Sequence, residues 1–299
     1  MSEQAQALQQ GTLIRGMGGF YTVYGTNGKS YTLRCKKKFR HQHISPLVGD
    51  EVLFSPGEGE EHGWVEEILP RKTECIRPPV ANVSLLLIVL CPTPAPDFLL
   101  VDRLMVRARR QGMKMLLVVT KGDLDSDLPE QVRRQYAGSG AAVYAVCSET
   151  GEGLAELKQA MAGELCCMAG QSGVGKSTLL NALLGVQQET GEISEKIQRG
   201  KNTTRHAELL MKDGIRVLDT AGFSLLELED GMEPITLKDE YPEFAEYEGL
   251  CRFTPCYHDR EPGCAVTAAC EEGKIDPDRL SRYRQLLNEV RESWRGRYD

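Results

Sequence analysis

The residues with the most specific chemistry in this 299-residue chain form one glycine-rich segment. They are Gly170, Gln171, Ser172, Gly173, Val174, Gly175, Lys176, Ser177 and Thr178, in the phosphate-binding pattern G-x-x-x-x-G-K-[ST]. The glycines let successive N–H groups point at phosphate oxygens, and a helix beginning there adds its positive end. Lys176 can bring positive charge to the β- and γ-phosphates, and the Ser177 hydroxyl can ligate Mg²⁺. The segment therefore predicts a nucleoside triphosphate site.

The base is expected to be read by Thr120, Lys121, Gly122 and Asp123, which follow an apolar run. A carboxylate at Asp123 can accept hydrogen bonds from N1–H and the exocyclic amine of guanine, whereas adenine offers no such pair of donors. The stem of Lys121 can lie over the base. Guanine-binding proteins usually have Asn-Lys-x-Asp at this point, and some have Thr in the first position, as here. The pattern favours GTP over ATP.

Two more segments fit a guanine-nucleotide site. Residues 147–151 are similar to the Ser-Ala-x-Thr-Gly loop whose backbone N–H contacts the guanine oxygen, and this predicts contacts from Cys147 and Ser148. Residues 219–222 fit the D-x-x-G pattern, which predicts Asp219 near the metal through water and the Gly222 N–H facing the γ-phosphate.

A threonine between the two phosphate segments is expected to complete the Mg²⁺ site. Residues 200–205 contain Thr203 and Thr204, and we expect Thr204 to be the ligand, with Thr203 as the alternative. Segments of this kind become ordered with GTP and loosen after hydrolysis. The expected catalytic set is Lys176, Ser177, Thr204, Asp219 and Gly222, with Ser177 and Thr204 on the magnesium ion.

The end of the chain carries a second kind of chemistry. Cys251, Cys256, His258 and Cys264 supply three thiols and one imidazole within fourteen residues, which suits a tetrahedral zinc site without an open position. Cys270 lies nearby, and chemistry alone does not exclude it as a ligand. We expect the zinc to be structural and to supply much of the folding energy of this tail.

The pattern of the first sixty or so residues predicts a small β-barrel. Short β-rich runs at 20–24, 31–35, 49–54 and 63–69 are separated by turn signals, and Asn27-Gly28 favours a hairpin. An OB-fold is a barrel of this size that binds oligonucleotides. The polar residues 1–10 are expected to lack regular structure.

Basic side chains gather in this barrel region without an acid among them. They are Lys29, Arg34, Lys36, Lys37, Lys38 and Arg40, interleaved with Tyr31 and Phe39. The pattern fits nucleic-acid binding, and it fits a solvated basic face without a ligand equally well.

After a predicted linker at 71–82, strand and helix patterns alternate. Strands are predicted at 83–90, 115–119, 142–146, 165–169 and 215–218, and helices at 99–111, 130–136, 154–161 and 178–184. This alternation is typical of an α/β domain with a mostly parallel sheet. The nucleotide motifs follow the ends of its strands.

A last helix is predicted from residue 278 to about 294, packed through Leu280, Tyr283, Leu286, Leu287 and Val290. Its arginines suggest a basic face that is available to phosphate. They are Arg279, Arg282, Arg284, Arg291, Arg295 and Arg297.

The composition is that of an ordinary globular protein, with 41% hydrophobic and 26% charged residues. The longest apolar run, at 83–90, is too short to span a bilayer, and the N-terminus lacks a signal pattern. We expect a cytoplasmic monomer with no membrane partner, whose ten cysteines are reduced or metal-bound. The net charge of −7 argues weakly against nucleic-acid binding.

The order of the motifs is unusual, because the base-reading segments precede the phosphate-binding ones. The same sheet entered at another point, a circular permutation, accounts for this order. A small barrel, a permuted GTPase and a cysteine-rich tail together resemble the RsgA (YjeQ) family of bacterial GTPases, over residues 11–294. The resemblance implies an OB-fold over 1–75, a circularly permuted P-loop GTPase domain over 76–230 and an α-helical zinc-binding domain over 231–299.

The resemblance also implies a function. Members of this family are GTPases that act in late maturation of the small ribosomal subunit, contact its rRNA and hydrolyse GTP when the subunit stimulates them. The implied cofactors are GTP or GDP, Mg²⁺ and one structural Zn²⁺. The family zinc motif C-x4-C-x-H-x5-C assigns Cys251, Cys256, His258 and Cys264 as its ligands.

The residue that orients the attacking water is left open. Phe223 follows the D-x-x-G segment and cannot do so, which predicts slow basal hydrolysis. Many family members carry His just before the threonine pair, where this chain has Asn202, with His206 four residues later. Asn202, His206 or a ribosomal group are the candidates, and our hypothesis is that neither Phe223 nor Asn202 acts as a base.

Two other functions compete with this one. A signalling switch that binds a protein effector without RNA fits the acidic net charge, and an ATP-using nucleic-acid enzyme fits the phosphate loop but not Asp123. Because residues 200–205 and 219–222 lead directly into the tail, we also hypothesise that the nucleotide state is relayed to the tail.

Overall fold

The computed structural model of the protein describes residues 7–36, 38–39, 44–57, 62–75, 79–122, 124–185, 207–219 and 231–296. The chain divides into two compact units. The first combines residues 1–85, 160–168 and 183–223, and the second combines residues 86–159, 169–182 and 224–299. Each unit is therefore built from segments that are distant in sequence.

Five strands of the first unit close into a small barrel, as the sequence predicts. They are β1 (Gln9–Met17), β2 (Phe20–Gly25), β3 (Ser30–Cys35), β4 (Glu51–Ser55) and β5 (Gly63–Ile68). The ring closes because β1 pairs with β2 and β4, β2 pairs with β3, and β5 pairs with β3 and β4. Alternate residues fill the interior, among them Leu13, Val23, Leu33, Phe54 and Val65, which are fully buried. The barrel is OB-like in size and closure.

The first strand begins earlier than the sequence suggests. The expectation that Gln9 and Gln10 lack regular structure is wrong. Both residues belong to β1 and pair with Phe54 and Leu53 of β4. A strand some forty residues away supplies this pairing, and the polar local sequence carries no sign of it. The predicted hairpin at Asn27-Gly28 is confirmed, with Gly28 at a φ of +77° between β2 and β3.

The predicted linker at 71–82 is more structured than expected. It carries two short paired strands, β6 (Glu74–Cys75) and β7 (Val80–Ala81). Arg71 ties it to the barrel, since its Nε and Nη2 donate to the two carboxylate oxygens of Asp50 at 2.7 and 2.9 Å. Asp50 is fully buried, and a buried carboxylate needs such a partner.

Three further strands belong mainly to the first unit. They are β11 (Leu165–Ala169), β12 (Glu208–Lys212) and β13 (Ile215–Asp219). β11 runs parallel to β13, and β12 and β13 form an antiparallel hairpin. The register places Asp219, the last residue of β13, opposite Glu208.

The second unit has the alternating strands and helices that the sequence predicts. They are β8 (Leu85–Leu90), α1 (Phe98–Arg110), β9 (Lys114–Thr120), α2 (Leu128–Gln135), β10 (Ala142–Val146), α3 (Leu154–Met161) and α4 (Lys176–Leu184). The strands lie in the order β10, β9, β8, with β9 and β10 parallel. Every residue of β8 is buried, as expected for a strand covered on both faces.

The C-terminal part of the second unit is helical. It has two 3₁₀ helices, Pro234–Glu240 and Pro242–Tyr247, followed by α5 (Ala265–Glu271) and α6 (Pro277–Arg295). The five apolar residues predicted to pack α6 are all buried in one hydrophobic cluster. That cluster also contains Val106 of α1, so the tail shares its core with the helix that follows β8.

The expected basic face of α6 is wrong for four of its six arginines. Their side chains bind within the chain: Arg279 and Arg282 to Asp102, Arg284 to Thr267, and Arg291 to Asp259. The helical pattern marks these positions as polar, but only the packing against α1 shows that Arg279 and Arg282 are buried. Arg295 is exposed, and Arg297 lies outside the described residues.

Candidate nucleotide site and candidate metal centre

The phosphate-binding segment follows β11 and leads into α4, the context that its sequence requires. The three glycines of the loop have positive φ values, which residues other than glycine rarely adopt. They are +140° at Gly170, +81° at Gly173 and +88° at Gly175. A Cβ at Gly170 would lie 2.2 Å from the carbonyl oxygen of Val89, so the position also has no space for one. Val174 anchors the loop in the core, while Ser172, Ser177 and Thr178 are exposed.

The Lys176 ammonium is folded back over its own loop. Its Nζ donates to the carbonyl oxygens of Gly170 and Gln171 at 2.7 and 2.6 Å. Burial lowers the pKa of Lys176. The charge is thus held against the loop by two carbonyl acceptors, and phosphate oxygens are the stronger acceptors that the same ammonium can bind.

Thr120, at the end of β9, contacts the phosphate loop directly. Its side chain is buried, and its hydroxyl lies 2.6 Å from the carbonyl oxygen of Val174 and 3.3 Å from that of Leu90. Lys121 follows with a φ of +55°, and its Nζ donates to the carbonyl oxygens of Gly173 and Thr93, both at 2.9 Å. The structure therefore brings the start of the base-reading segment onto the phosphate-binding one.

The second base-reading segment is a tight turn after β10. The N–H of Gly151 donates to the carbonyl oxygen of Cys147 at 2.9 Å, and the N–H of Cys147 donates to that of Glu152 at 3.0 Å. Gly153 has a φ of +73°, and a Cβ there would meet the carbonyl oxygen of Ala145 at 2.1 Å. Backbone hydrogen bonds and a left-handed glycine shape this turn, and the hydroxyl oxygen of Thr150 also accepts from the N–H of Glu152 at 3.3 Å.

Asp219 stands at the end of β13 in the first unit and is half-buried. Burial, together with repulsion from Glu208, raises the pKa of Asp219. A cation or a water network at this carboxylate would favour its ionised form.

Several sequence-predicted residues lie outside the described residues. They are Asp123, Asn202, Thr203, Thr204, His206, Gly222 and Phe223. Their proposed roles rest on the sequence.

The cysteine-rich segment folds so that four possible metal ligands converge. One ligand atom from each of Cys251, Cys256, His258 and Cys264 lies within 4.8 Å of the others. Ligand atoms of a tetrahedral zinc–thiolate site lie about 3.8 Å apart, from Zn–S bonds of about 2.3 Å. Cys270, which the sequence leaves open, is not in this cluster; it packs against the hydrophobic core of the tail.

The imidazole of His258 points its Nδ1 atom toward the thiols of the cluster. This atom lies 3.6 Å from Sγ of Cys251 and 3.4 Å from Sγ of Cys264. Its buried Nε2 has no hydrogen-bond partner among the described residues, and a carboxylate oxygen of Glu248 lies 3.9 Å from it. The donor set and its orientation fit zinc bound through Nδ1.

Burial also affects the thiols. It raises the pKa of Cys256 to about 12, so this sulfur is a thiolate at neutral pH only when a cation offsets its burial. Two loop N–H groups, of Tyr257 and Asp259, donate to the carboxylate of Glu261 at 2.9 Å each. This acidic side chain shapes the loop between His258 and Cys264, and the spacing of cysteines gave no sign of it.

In the folded barrel, an acidic side chain lies beside the predicted basic patch. Lys36 pairs with Glu66 of β5, although no acid lies among the basic residues in sequence. The guanidinium of Arg34 lies 4.6 Å from the ring centre of Phe20, and Phe39 is buried. Lys37 and Arg40 lie outside the described residues.

Comparison with known families decides what this combination of barrel, phosphate loop and thiol cluster represents. The family model for the RsgA GTPase matches residues 68–229, and the model for the RsgA N-terminal domain matches residues 10–65. The chain belongs to the RsgA GTPase family. Its activity is therefore GTP hydrolysis, as the motifs predict.

Curated RsgA proteins match nearly the whole chain. The small ribosomal subunit biogenesis GTPase RsgA of Ruminiclostridium cellulolyticum is 42% identical over 291 residues, with 95% of each chain covered. The protein of the same name from Agathobacter rectalis is 42% identical over 296 residues, covering 94% of this chain and 98% of the relative.

Solved RsgA-like structures have the same fold. The crystal structure of YjeQ from Thermotoga maritima has a TM-score of 0.82 at 32% identity and covers 95% of this chain and 99% of its own. YloQ, a circularly permuted GTPase, has a TM-score of 0.80 at 32% identity and covers 98% of both chains. The circular permutation inferred from the motif order is thus confirmed.

Sequence reasoning missed one part of this RsgA nucleotide site. The loop between β8 and α1 contacts it through the carbonyl oxygen of Thr93 and the N–H of Asp97. Asp97 also caps α1, with its side chain accepting from the N–H of Leu100 at 2.9 Å. An Asp before an apolar helical pattern is a readable capping signal, but its contact with the phosphate loop is not readable from sequence. Among the described residues, no helix is long and apolar enough to cross a membrane.

Proposed function

We propose that this RsgA-family chain binds the small ribosomal subunit and its rRNA and acts in late maturation of that subunit, with subunit-stimulated GTP hydrolysis. The observation that carries this proposal is the agreement with curated RsgA proteins across 94–95% of the chain, so that barrel, GTPase segment and tail match together. The protein acts as a monomer in the cytoplasm.

In this proposal the nucleotide is bound by three sets of residues. The phosphates contact Gly170, Gln171, Ser172, Gly173, Val174, Gly175, Lys176, Ser177 and Thr178. The guanine base contacts Lys121, Gly122, Asp123, Cys147 and Ser148, and Thr120 supports the loop. Mg²⁺, held by Ser177 and Thr204 with Asp219 through water, neutralises charge on the phosphates.

Hydrolysis depends on positioning a water against the γ-phosphate. Gly222 supplies an N–H to that phosphate, and Phe223 beside it has no group that holds a water. The water is therefore oriented by His206 or by a group of the ribosome, which explains why the subunit is needed for fast turnover. Asn202 is not the base in this scheme.

The barrel and the tail are the parts that meet the subunit. The OB-like barrel offers Arg34 on its surface beside Phe20, an arrangement suited to phosphate and base contacts. The zinc cluster, ligated by Cys251, Cys256, His258 and Cys264, holds the tail in one shape. From the family resemblance we assign the barrel domain to residues 1–75, the GTPase domain to residues 76–230 and the zinc-binding domain to residues 231–299.

The deciding experiment measures GTP hydrolysis by the purified, zinc-loaded chain with and without purified small ribosomal subunits. We expect slow basal turnover and a rise of at least about tenfold with small subunits, because the missing water-positioning group is completed only there. Large subunits are the matched control and should not stimulate. Lys176→Ala should abolish turnover in every condition.

A rate that does not change with small subunits would contradict the proposal. Binding to a protein effector without any rRNA contact would then favour the signalling switch. If Asn202→Ala abolishes stimulated turnover while GTP binding is unchanged, the assignment of the water-positioning group is wrong, and the ribosomal role stands.

A further inference from the structure

The loop between β8 and α1 is held by two side chains of the nucleotide site. Oε1 of Gln171 accepts a hydrogen bond from the N–H of Asp97 at 3.0 Å. Nζ of Lys121 donates to the carbonyl oxygen of Thr93 at 2.9 Å, and the same ammonium binds the carbonyl of Gly173 in the phosphate loop. The position of this loop is thus fixed by residues that contact nucleotide in the proposed function.

α1 begins where this loop ends. Asp97 is its N-cap, and the helix runs without interruption through Phe98–Arg110. Just over one turn into it lies Asp102, which is fully buried. Any shift of the first turn of a continuous helix also moves the residues of the next turn, because their backbone hydrogen bonds are shared.

Asp102 joins α1 to the C-terminal helix α6 through charge. Its two carboxylate oxygens lie 2.6 Å from Nη1 of Arg279 and 2.8 Å from Nε of Arg282. The hydroxyl of Tyr136 donates to the same carboxylate at 2.6 Å. Nearer the end of α6, Glu289 accepts two hydrogen bonds from Arg103, the residue after Asp102.

The buried charges between α1 and α6 oppose small shifts of one helix along the other. Arg279 and Arg282 are both buried, and Arg279 is also stacked 4.3 Å from the ring centre of Tyr241. Moving Asp102 away would remove the carboxylate that Arg282 pairs with and leave Arg279 paired with Glu243 alone, which is unfavourable for buried charges. The two helices therefore either stay docked and move together or separate.

α6 in turn holds the loop of the metal cluster. The hydroxyl of Tyr283 donates to the carbonyl oxygen of Tyr257 at 2.6 Å, and Nε of Arg284 donates to that of His258 at 3.3 Å. An unbroken set of contacts thus runs from Gln171 through α1 and α6 to the Cys₃His cluster.

We propose that α1 couples the phosphate loop to the C-terminal domain, with Gln171 as the positioning residue at its origin. Nucleotide binding fixes the phosphate loop and so the acceptor Oε1 of Gln171, which stabilises the first turn of α1 and the docking of α6 on Asp102. The route uses none of the residues 200–222, unlike the relay expected from chain order. It requires GDP or GTP binding, the family's ligand, and is independent of the ribosomal role.

Hydrogen–deuterium exchange of the full zinc-loaded chain, without nucleotide and with saturating Mg²⁺·GDP, tests this coupling. In the wild type, GDP slows exchange of α6 amides by about fivefold or more, the lower end of ordinary coupling factors. Gln171→Met keeps the side-chain length but has no hydrogen-bond acceptor. GDP is raised to a concentration that saturates this variant, as measured by its own titration, and the slowing in α6 is then lost.

Gln159→Met is the matched control, because Gln159 is an exposed glutamine on α3 of the same unit. It should behave like the wild type. The proposal is overturned if nucleotide-saturated Gln171→Met retains the slowing of α6, or if GDP leaves α6 exchange unchanged in the wild type. None of these outcomes bears on whether small subunits stimulate hydrolysis, so the two proposals fail separately.

Discussion

At the scale of single residues, Thr120 shows how a departure from a motif can be read from geometry. The usual Asn of the base-reading motif is replaced here by a side chain whose hydroxyl is buried and donates to the phosphate loop at Val174. A buried hydroxyl directed at a loop carbonyl supports the loop and is not directed at a base. Thr120 therefore supports the phosphate-binding segment, and in the proposed function the selection of guanine is left to Asp123.

We expect Thr120→Val to weaken binding of all nucleotides alike. The change removes one hydrogen bond and leaves the carbonyl of Val174 without this donor, at a cost of about 1–3 kcal/mol. Calorimetric titration should show a loss of about 5- to 160-fold for GTP, GDP and ITP, with their ratios unchanged. Thr120→Ser should bind nearly as the wild type does.

Asp123→Asn is the comparison variant for this experiment. It should change the ratio of GTP to ATP binding, because the carboxylate of Asp123 is the proposed acceptor for the guanine donors. A change in base selectivity with Thr120→Val would show that Thr120 reads the base after all.

At the scale of elements, the contact between α1 and α6 is the joint of the second unit. Its hydrophobic part is the shared cluster around Val106, Leu286 and Val290, and its polar part is the ion cluster at Asp102. Hydrophobic packing permits small adjustments, whereas buried charges fix one register between the helices. We expect the ion cluster at Asp102 to specify the docked arrangement of the tail.

We expect Asp102→Asn to loosen the tail severely, because it removes the carboxylate that Arg282 pairs with and leaves the buried Arg279 with Glu243 alone. The expected cost is about 3–5 kcal/mol. Limited proteolysis should then cut the chain after residue 231 under conditions where the wild type is intact. Glu289→Gln, which breaks the partly exposed pair with Arg103, is the matched control and should cost less than about 1 kcal/mol. Equal resistance of Asp102→Asn and the control would contradict this account of the joint.

At the scale of the whole molecule, one chain combines three kinds of site. The OB-like barrel, the nucleotide-binding segments and the thiol cluster each have their own chemistry. The two family models match the first two, and curated RsgA relatives match 94–95% of the chain. Each of these sites is needed in the proposed function. The barrel and the tail bind the subunit, and the bound nucleotide controls when this binding occurs.

Chelation of zinc tests this division of roles. We expect removal of the ion to unfold the tail and release the chain from small subunits, because zinc-finger sites draw about 10–16 kcal/mol of apparent folding energy from the metal. GDP affinity should fall by no more than about tenfold, the size of ordinary coupling. Circular dichroism, subunit co-sedimentation and GDP titration measure the three effects, and restoring Zn²⁺ should reverse them.

Tight subunit binding by the zinc-free chain would show that the tail is not part of the binding surface. Loss of all GDP binding would show that the tail is needed to fold the nucleotide site. Cys256→Ser, which removes one thiol, should reproduce the effect of chelation, whereas Cys270→Ser should not, because Cys270 is outside the ligand cluster.

The sequence by itself determined what depends on local chemistry. The phosphate loop, the four converging zinc-type ligands and the strands and helices of the second unit are readable because each rests on residue type and spacing over a few turns. The family and the permutation follow from the order of these motifs, since order is a property of the chain.

Only the tertiary structure decided the features that depend on residues far apart in sequence. Gln9 and Gln10 become a strand because β4 pairs with them, and Thr120 becomes a support for Val174 because β9 ends beside the phosphate loop. The arginines of α6 look like a surface for phosphate until Asp102 of α1 is placed against them. Burial and partnership are set by the whole fold, and no local pattern encodes them.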